Sequence, residues 1–279
     1  MAERVITVFT NNTKISTDTF KRLCSELKDG GFSVSPDLSP NTELIVCIGG
    51  DGTFLKAVQH FDFPTAPFVG INTGHLGFFQ EISPDGIASF IKSYKQGKYN
   101  IQHLKTVKAI VFAKDEQAEH TGLNEVVIRG DGSYPIHLNI SIGGSFIERF
   151  SGDGILVATS AGSTAYNYSL GGAIVDPRLN VLQLTPIAPI NSVAYRSFTS
   201  SLMLPSDLSL SVTPESEQDY DMIVYIDGIE NKYKNVSRVN VYFAEKIVNL
   251  VRFESYDFWN KVKTKFLDSG TKKESNEQI

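Results

Sequence analysis

The sequence has few cysteines, no excess of positive charge and no apolar run long enough to cross a membrane. Among its 279 residues only Cys24 and Cys47 are cysteines, and we expect both to be reduced core residues. The net charge of −5 argues against a nucleic-acid-binding surface and against attraction to an anionic membrane. The N-terminal residues also lack the layout of a secretory signal peptide. These absences predict a cytoplasmic protein without nucleic-acid or membrane partners.

Apolar residues are plentiful, at 41% of the chain, which is enough for one large or two medium domains. In the first hundred residues, short apolar segments with the composition of strands alternate with segments of helical periodicity. Such alternation predicts an α/β domain with a doubly wound, Rossmann-like parallel sheet. The predicted strands are residues 5–9, 32–34, 44–48 and 67–71.

The predicted helices of this region follow the same alternation. Apolar residues from Phe20 to Leu27 recur at helical spacing, and the glycine pair at residues 30–31 ends the pattern. A further helix is predicted over residues 84–94. The candidate N-terminal caps of the first helix are Ser16, Thr17 and Asp18.

After residue 101 the pattern changes to many short strands separated by turn residues, which predicts an all-β domain, an antiparallel sandwich or a layered sheet. An amphipathic helix is expected from Phe258 to Leu267, and the polar residues 272–279 are expected to be disordered. The predicted domains are therefore residues 1–101 and residues 102–251, and the pattern alone does not fix where residues 252–279 pack. The predicted strands of the second part are residues 107–113, 125–128, 136–142, 155–159, 208–212, 222–226, 238–243 and 247–253.

A glycine-rich turn follows the third predicted strand, with the sequence Gly-Gly-Asp-Gly-Thr at residues 49–53. A strand, a glycine turn and a helix together point backbone N–H groups at a phosphate. The turn lacks the Gly-Lys-Ser/Thr ending of a P-loop and the third glycine of a dinucleotide fingerprint. Asp51 therefore has a different task, such as holding a hydroxyl or a metal beside the phosphates, or it simply caps the following helix.

A second unusual stretch, residues 160–173, is rich in glycine, serine, threonine and alanine. Small residues let a ligand approach the backbone, and Tyr166 offers an aromatic face to a base. The alternative is an ordinary loop with a packed tyrosine. Weaker signals come from Asn124 and Glu125, from Asp227 in a hairpin-turn sequence, and from the loop residue His75. The histidines and cysteines show no zinc-ligand spacing, so no metal-ligating residue is predicted.

Taken together, these motifs resemble the NAD kinase family. The resemblance rests on residues 49–53, on the Gly-Ile-Asn-Thr-Gly-His-Leu-Gly-Phe segment at residues 70–78, on residues 123–125 and on residues 152–172. The first motif is shared with lipid kinases and phosphofructokinases. The Thr-Ala-Tyr sequence beginning at Thr164 is more diagnostic.

The resemblance implies an α/β domain and a β-rich, NAD-binding domain with the active site between them. It also implies that residues 252–279 return to complete the domain of residues 1–101. It implies phosphoryl transfer from ATP or polyphosphate to the adenosine 2′-hydroxyl of NAD, with a divalent ion, Mg²⁺, carried by the donor phosphates. It also implies a homodimer or homotetramer, with Asp51 as the proton acceptor. The candidate nucleotide-binding residues are Gly52, His75, Phe78, Asn124, Glu125, Arg149, Asp153, Ala161, Thr164, Ala165, Tyr166, Ser169, Ala188 and Asp227.

One position departs from the family pattern. Many relatives carry a basic residue two positions before Asp153, where this chain has Ser151, so Arg149 is a candidate for the corresponding phosphate contact. Two other functions remain alternatives. A lipid kinase shares the glycine turn but calls for an apolar or basic membrane-facing patch, and a non-catalytic dinucleotide sensor has no need of the acid at position 51.

Overall fold

The computed structural model describes residues 4–132, 134–215 and 220–268. The chain divides into two compact units, unit 1 comprising Met1–Gln102 with Asn249–Ile279, and unit 2 comprising His103–Val248. No helix in the described ranges is long and apolar enough to span a membrane. The tail expected to be disordered, residues 272–279, lies outside the described residues.

Strands dominate the described chain. The helices are α1 (Lys14–Asp29), α2 (Asp51–His60), α3 (Ile87–Lys95), α4 (Tyr166–Ser169) and α5 (Phe258–Phe266). The strands are β1 (Val5–Thr10), β2 (Ser33–Ser35), β3 (Thr42–Gly49), β4 (Phe68–Asn72), β5 (Gln80–Ile82), β6 (Asn100–Ala113), β7 (Gln117–Gly122), β8 (Glu125–Gly130), β9 (Ile136–Ile142), β10 (Ser145–Gly152), β11 (Gly154–Thr159), β12 (Val181–Ile187), β13 (Leu202–Pro205), β14 (Leu210–Pro214), β15 (Met222–Ile226), β16 (Ile229–Tyr233) and β17 (Val236–Arg252).

Unit 1 contains a parallel sheet in the order β2-β1-β3-β4, with β5 beside β4. Because side chains alternate along a strand, Phe68 and Val69 of β4 face opposite sides of the sheet. Val69 joins a core with residues of α1 and α3, whereas Phe68 contacts Phe54 of α2. Helices cover both faces, which explains the nearly continuous apolar strands and confirms the doubly wound α/β prediction.

Unit 2 is built from antiparallel strands in two layers. One layer has the order β13-β12-β11-β8-β15-β16, and the other contains β10-β9-β14-β17 together with β6 and β7. Inward-facing residues of both layers, such as Val157 of β11 and Leu138 of β9, share one core. The prediction of an all-β, layered C-terminal domain is confirmed.

Several element predictions are wrong in detail. The first helix begins a turn earlier than expected, with Thr13 as its cap, and Ser16 donates its backbone N–H to the Thr13 hydroxyl at 3.3 Å. Ser16 is therefore inside the helix, as are the other proposed caps, Thr17 and Asp18. Residues 84–94 divide into a 3₁₀ turn, Pro84–Gly86, and α3.

The strand predictions for residues 238–243 and 247–253 correspond to one continuous strand, β17. The charged residues Glu245 and Lys246 interrupt the apolar pattern between the two predicted strands. In the structure they are exposed positions within the strand, between the buried residues Ala244 and Val248. The sequence patterns also miss β5, β7, β10, β12, β13 and β16. Strands such as β7 and β16 carry mostly polar residues, so they lack the apolar alternation on which the predictions depend.

Candidate functional site

The glycine turn joins β3 to α2 at the carboxyl end of the unit 1 sheet, where ligands of such sheets bind. Gly49 has a φ of 158°, and a β-carbon there would lie 2.3 Å from the Thr53 hydroxyl oxygen, so only glycine fits. The N-terminal cap of α2 is Gly50, so no side chain caps this helix. The alternative role of Asp51, as the helix cap, is therefore wrong.

The Asp51 carboxylate instead bonds to the loop between β4 and β5. Its Oδ2 accepts the N–H of Phe78 at 2.9 Å, and its Oδ1 accepts the N–H of Phe79 at 3.0 Å. Two backbone donors fix the plane of the carboxylate without neutralising its charge. The side chain is 26% exposed, so part of it remains accessible to a ligand.

Two lysines of α5 surround the same loop, and no sequence motif points to either. Lys261 donates to the carbonyl oxygens of Gly77 and Gln80. Burial and the nearby charge of Arg252 lower the pKa of Lys261 to about 8. The Lys265 Nζ atom lies 3.6 Å from Oδ2 of Asp51. Residues that are far apart in the sequence, Phe78, Phe79 and Lys265, thus surround one carboxylate.

The other candidates in unit 1 have different surroundings. Gly52 is exposed, and a β-carbon there would meet no atom within 4 Å. His75 is exposed on the loop after β4. The ring of Phe78 is buried, with its centre 5.8 Å from that of Phe258 and 6.0 Å from that of Phe266. Phe78 therefore contributes its backbone N–H to Asp51 and its ring to packing.

In unit 2, Asp227 anchors a second cluster. It lies in the β15–β16 turn that its sequence predicts, with a φ of 49°. Its carboxylate accepts the N–H groups of Leu123, Asn124 and Glu125 at 2.7–3.2 Å. The sequence did not predict this contact, because the partners lie about a hundred positions apart. Asp227 thereby fixes the backbone on which Asn124 and Glu125 are carried.

Asn124 and Glu125 are buried, yet each has one side-chain oxygen that no described residue satisfies. Asn124 Oδ1 and Glu125 Oε2 make no hydrogen bond within the described residues. Burial and the charge of Asp227 raise the pKa of Glu125 to about 8. A carboxyl group that is protonated at neutral pH can donate as well as accept, so this pair suits a ligand rich in hydroxyl groups.

The loop at residues 160–173 packs against Asn124 and is held by its own polar groups. A β-carbon on Gly162 would lie 2.2 Å from the backbone oxygen of Asn124, so the small residue permits this approach. The Asn167 amide donates to the Ser163 and Ala173 carbonyls and accepts from Thr185. Among the candidates of this loop, Thr164 is buried, Ala161 and Ala165 are partly exposed, and Tyr166 and Ser169 are exposed.

The last candidates lie around the β10–β11 turn. The Arg149 guanidinium forms an ion pair with Glu215, so this candidate phosphate ligand already has an anionic partner. Ser151 is buried, and its N–H bonds to the Ser197 hydroxyl. Asp153 is exposed, with Oδ2 4.0 Å from Arg129. Ala188 is exposed and has a φ of 45°, which costs strain for a non-glycine residue.

Comparison with protein-family models matches residues 33–99 to the ATP-NAD kinase N-terminal domain and residues 123–253 to the ATP-NAD kinase C-terminal domain. Among curated proteins, an NAD kinase of Finegoldia magna is 38% identical over 95% of this chain and 98% of its own length. An NAD kinase of Staphylococcus saprophyticus is 32% identical over 89% of this chain and 92% of its own length.

Solved structures show the same fold. Yeast NADH kinase complexed with NADH has a TM-score of 0.83 and 22% identity, covering 96% of this chain and 89% of that chain. An NAD kinase from Archaeoglobus fulgidus in complex with ATP has a TM-score of 0.76 and 24% identity, covering 93% of this chain and 99% of that chain.

Proposed function

This chain belongs to the NAD kinase family, whose members phosphorylate NAD to NADP, and we propose that Asp51 accepts the proton from the adenosine 2′-hydroxyl during this reaction. The observation that carries the proposal is the fixed carboxylate of Asp51 in the glycine turn. The amides of Phe78 and Phe79 orient it, and part of the side chain remains exposed. The alternative functions, lipid kinase and non-catalytic dinucleotide sensor, are therefore not needed to explain the arrangement around Asp51.

The reaction requires one bond to form and one to break. The 2′-oxygen attacks the terminal phosphorus of the donor, and the bond from that phosphorus to the bridging oxygen breaks, leaving its electron pair on the departing phosphate. The proton of the hydroxyl passes to Asp51. Because the transition state is loose and a carboxylate is a weak base, Asp51 chiefly orients the hydroxyl and receives its proton late.

We assign the binding of NAD to residues of unit 2. Asn124 and Glu125 supply buried oxygens that have no partner among the residues the structure describes, and these oxygens would bond to ribose hydroxyls. Asp227 supports both through their backbone N–H groups. The exposed Tyr166 offers a ring on which the adenine or nicotinamide can stack. The further members of this proposed set are Asp153, Ala161, Thr164, Ala165, Ser169 and Ala188.

The phosphoryl donor is proposed to bind near the glycine turn as a metal complex. No group of three or more histidine, cysteine, aspartate or glutamate residues in the described ranges could hold a metal ion. We propose that a divalent ion, Mg²⁺, arrives on the donor phosphates as part of the substrate, where it would offset their charge. Gly52 in the turn and His75 in the adjoining loop are proposed to face these phosphates, and Phe78 is proposed to contribute through its N–H bond to Asp51.

Arg149 is the remaining candidate for a phosphate contact. Because it pairs with Glu215, it would have to exchange that partner for the ligand. We further propose that the protein acts in the cytoplasm as a homodimer or homotetramer, as the family resemblance implies.

The test is an assay of NADP formation with purified protein, NAD, Mg²⁺ and either ATP or polyphosphate, with NADP measured by a coupled dehydrogenase. The Asp51→Asn variant keeps the size of the side chain and removes the proton acceptor. We expect its kcat to fall about 10²–10⁴-fold, while the KM for NAD changes little. An unchanged kcat in this variant would refute the role assigned to Asp51.

A further inference from the structure

The side chain of Lys265 reaches the Asp51 carboxylate from α5, although the two residues are far apart in sequence. The Nζ atom lies 3.6 Å from Oδ2, which is too long for a good hydrogen bond but within the distance of an ion pair. Oδ2 already accepts the N–H of Phe78. Lys265 thus adds a positive charge beside the carboxylate while leaving its remaining lone pairs for a ligand.

The lysine is held where it is by the protein. Its Nζ atom lies 4.9 Å from the centre of the Phe78 ring, within the range of a cation–π contact. The side chain is 32% exposed. The same phenylalanine therefore gives its N–H to Asp51 and its ring face to Lys265, which couples the position of the lysine to that of the carboxylate.

One turn earlier on the same helix, Lys261 contacts the loop that supplies the N–H donors. It donates to the carbonyl oxygens of Gly77 and Gln80, on either side of Phe78 and Phe79. Residues four apart lie on one face of a helix. That face of α5 therefore presents one ammonium group to the loop and another to the carboxylate.

We propose that Lys265 is a positioning residue that acts through Asp51. Its ammonium group holds Oδ2 in the orientation needed to receive the hydroxyl proton, and it offsets the negative charge of the carboxylate when the anionic phosphoryl donor approaches. Phosphate-binding glycine loops commonly end in a lysine, whereas this turn carries an aspartate. Here a lysine of α5 lies beside that aspartate. The inference rests on the proposed role of Asp51 as proton acceptor.

The test compares Lys265→Met, Lys265→Arg and the control Lys263→Met in the NADP assay. Methionine keeps most of the stem but removes the charge, and we expect kcat to fall about 10–100-fold with little change in the KM for NAD. Lys265→Arg should keep about a third or more of the wild-type kcat, since the arginine side chain can place a positive charge at a similar distance from the backbone. Lys263 is exposed on the same helix, and its variant should match the wild type.

A purely structural role is tested by thermal unfolding. An ion pair that is partly exposed contributes little to stability, so the melting temperature of Lys265→Met should stay close to that of the wild type. If kcat falls only in proportion to a loss of folded protein, or if Lys265→Arg is as inactive as Lys265→Met despite being folded, the proposal is wrong.

The double variant Asp51→Asn/Lys265→Met separates this proposal from the one on which it rests. If Lys265 acts through the carboxylate, its replacement has no further effect once residue 51 is neutral. Additive losses would mean that Lys265 acts on the substrate directly, and they would overturn the inference while leaving the role of Asp51 intact. If Asp51→Asn alone were fully active, the proposed function itself would fail.

Discussion

The backbone of Gly77 passes so close to the carboxylate of Asp51 that a β-carbon at position 77 would lie 2.4 Å from Oδ1. Real β-carbons do not approach other atoms so closely, so either the carboxylate or the loop must move to admit a side chain. The two amide donors that follow Gly77 would be displaced together with it. The smallness of residue 77 is therefore a condition for the orientation of Asp51.

Gly77→Ala is expected to reduce kcat about 10–100-fold, because a small displacement of a catalytic group removes much of its effect. The matched control is Gly74→Ala in the same loop, where a β-carbon would meet no atom within 4 Å. Steady-state kinetics of both variants check this prediction. Equal activity of the two variants would show that the close approach at residue 77 has no catalytic consequence.

Glu125 should make the stability of the protein depend on pH. Burial and the charge of Asp227 raise its pKa from 4.5 to about 8 in the folded state. Between these values the folded protein binds a proton that the unfolded chain has released, so the free energy of unfolding falls as the pH rises through this window. Glu125→Gln mimics the protonated form. The variant should therefore not show the fall in the free energy of unfolding, roughly 2–4 kcal/mol, that Glu125 causes in the wild type as the pH rises.

Urea unfolding of wild type and Glu125→Gln at several pH values between about 5 and about 8 measures the difference. The advantage of the glutamine variant should grow with pH. The exposed residue Glu116 provides a control of equal charge, and Glu116→Gln should follow the wild-type curve. Parallel curves for wild type and Glu125→Gln would contradict the raised pKa.

Tyr166 and Tyr168 are both 40% exposed on the short helix α4, which makes them a matched pair. If the Tyr166 ring stacks on a base of NAD, Tyr166→Ala should weaken NAD binding about tenfold. Tyr166→Phe keeps the ring and should bind as the wild type does, and Tyr168→Ala should have a much smaller effect. Titration calorimetry with NAD measures the three affinities. Comparable losses for the two alanine variants would argue against a specific stacking role.

The sequence predicts those parts of the site that are contiguous in the chain. The glycine turn could be recognised because its strand, glycines and helix follow one another, and the same holds for the hairpin turn at Asp227. Lys265 could not be found in this way, since a lysine on an amphipathic helix is usually a solvated residue. Its proximity to Asp51 arises only when α5 packs in unit 1.

The small-residue loop shows a different limit. Its composition suggests access for a ligand, but Gly162 and Gly172 are small for packing reasons, since a β-carbon on either would lie 2.2 Å from an atom of Asn124 or Asn167. The polar residues Ser163 and Asn167 are buried and hold the loop together. Composition alone cannot separate such internal hydrogen bonding from ligand recognition, whereas the structure leaves Tyr166, Tyr168 and Ser169 exposed to solvent.

The position of α5 has a consequence for how the protein is made. A ribosome synthesises β1–β4 and the glycine turn early, then all of unit 2, and only afterwards the helix with Lys261 and Lys265. A nascent chain thus carries Asp51 throughout the synthesis of unit 2 without the two cations that contact the residue and its loop. The surroundings of the acid are completed only once α5 has been made, and a product cut short before Phe258 keeps the recognisable motif but not its electrostatic setting.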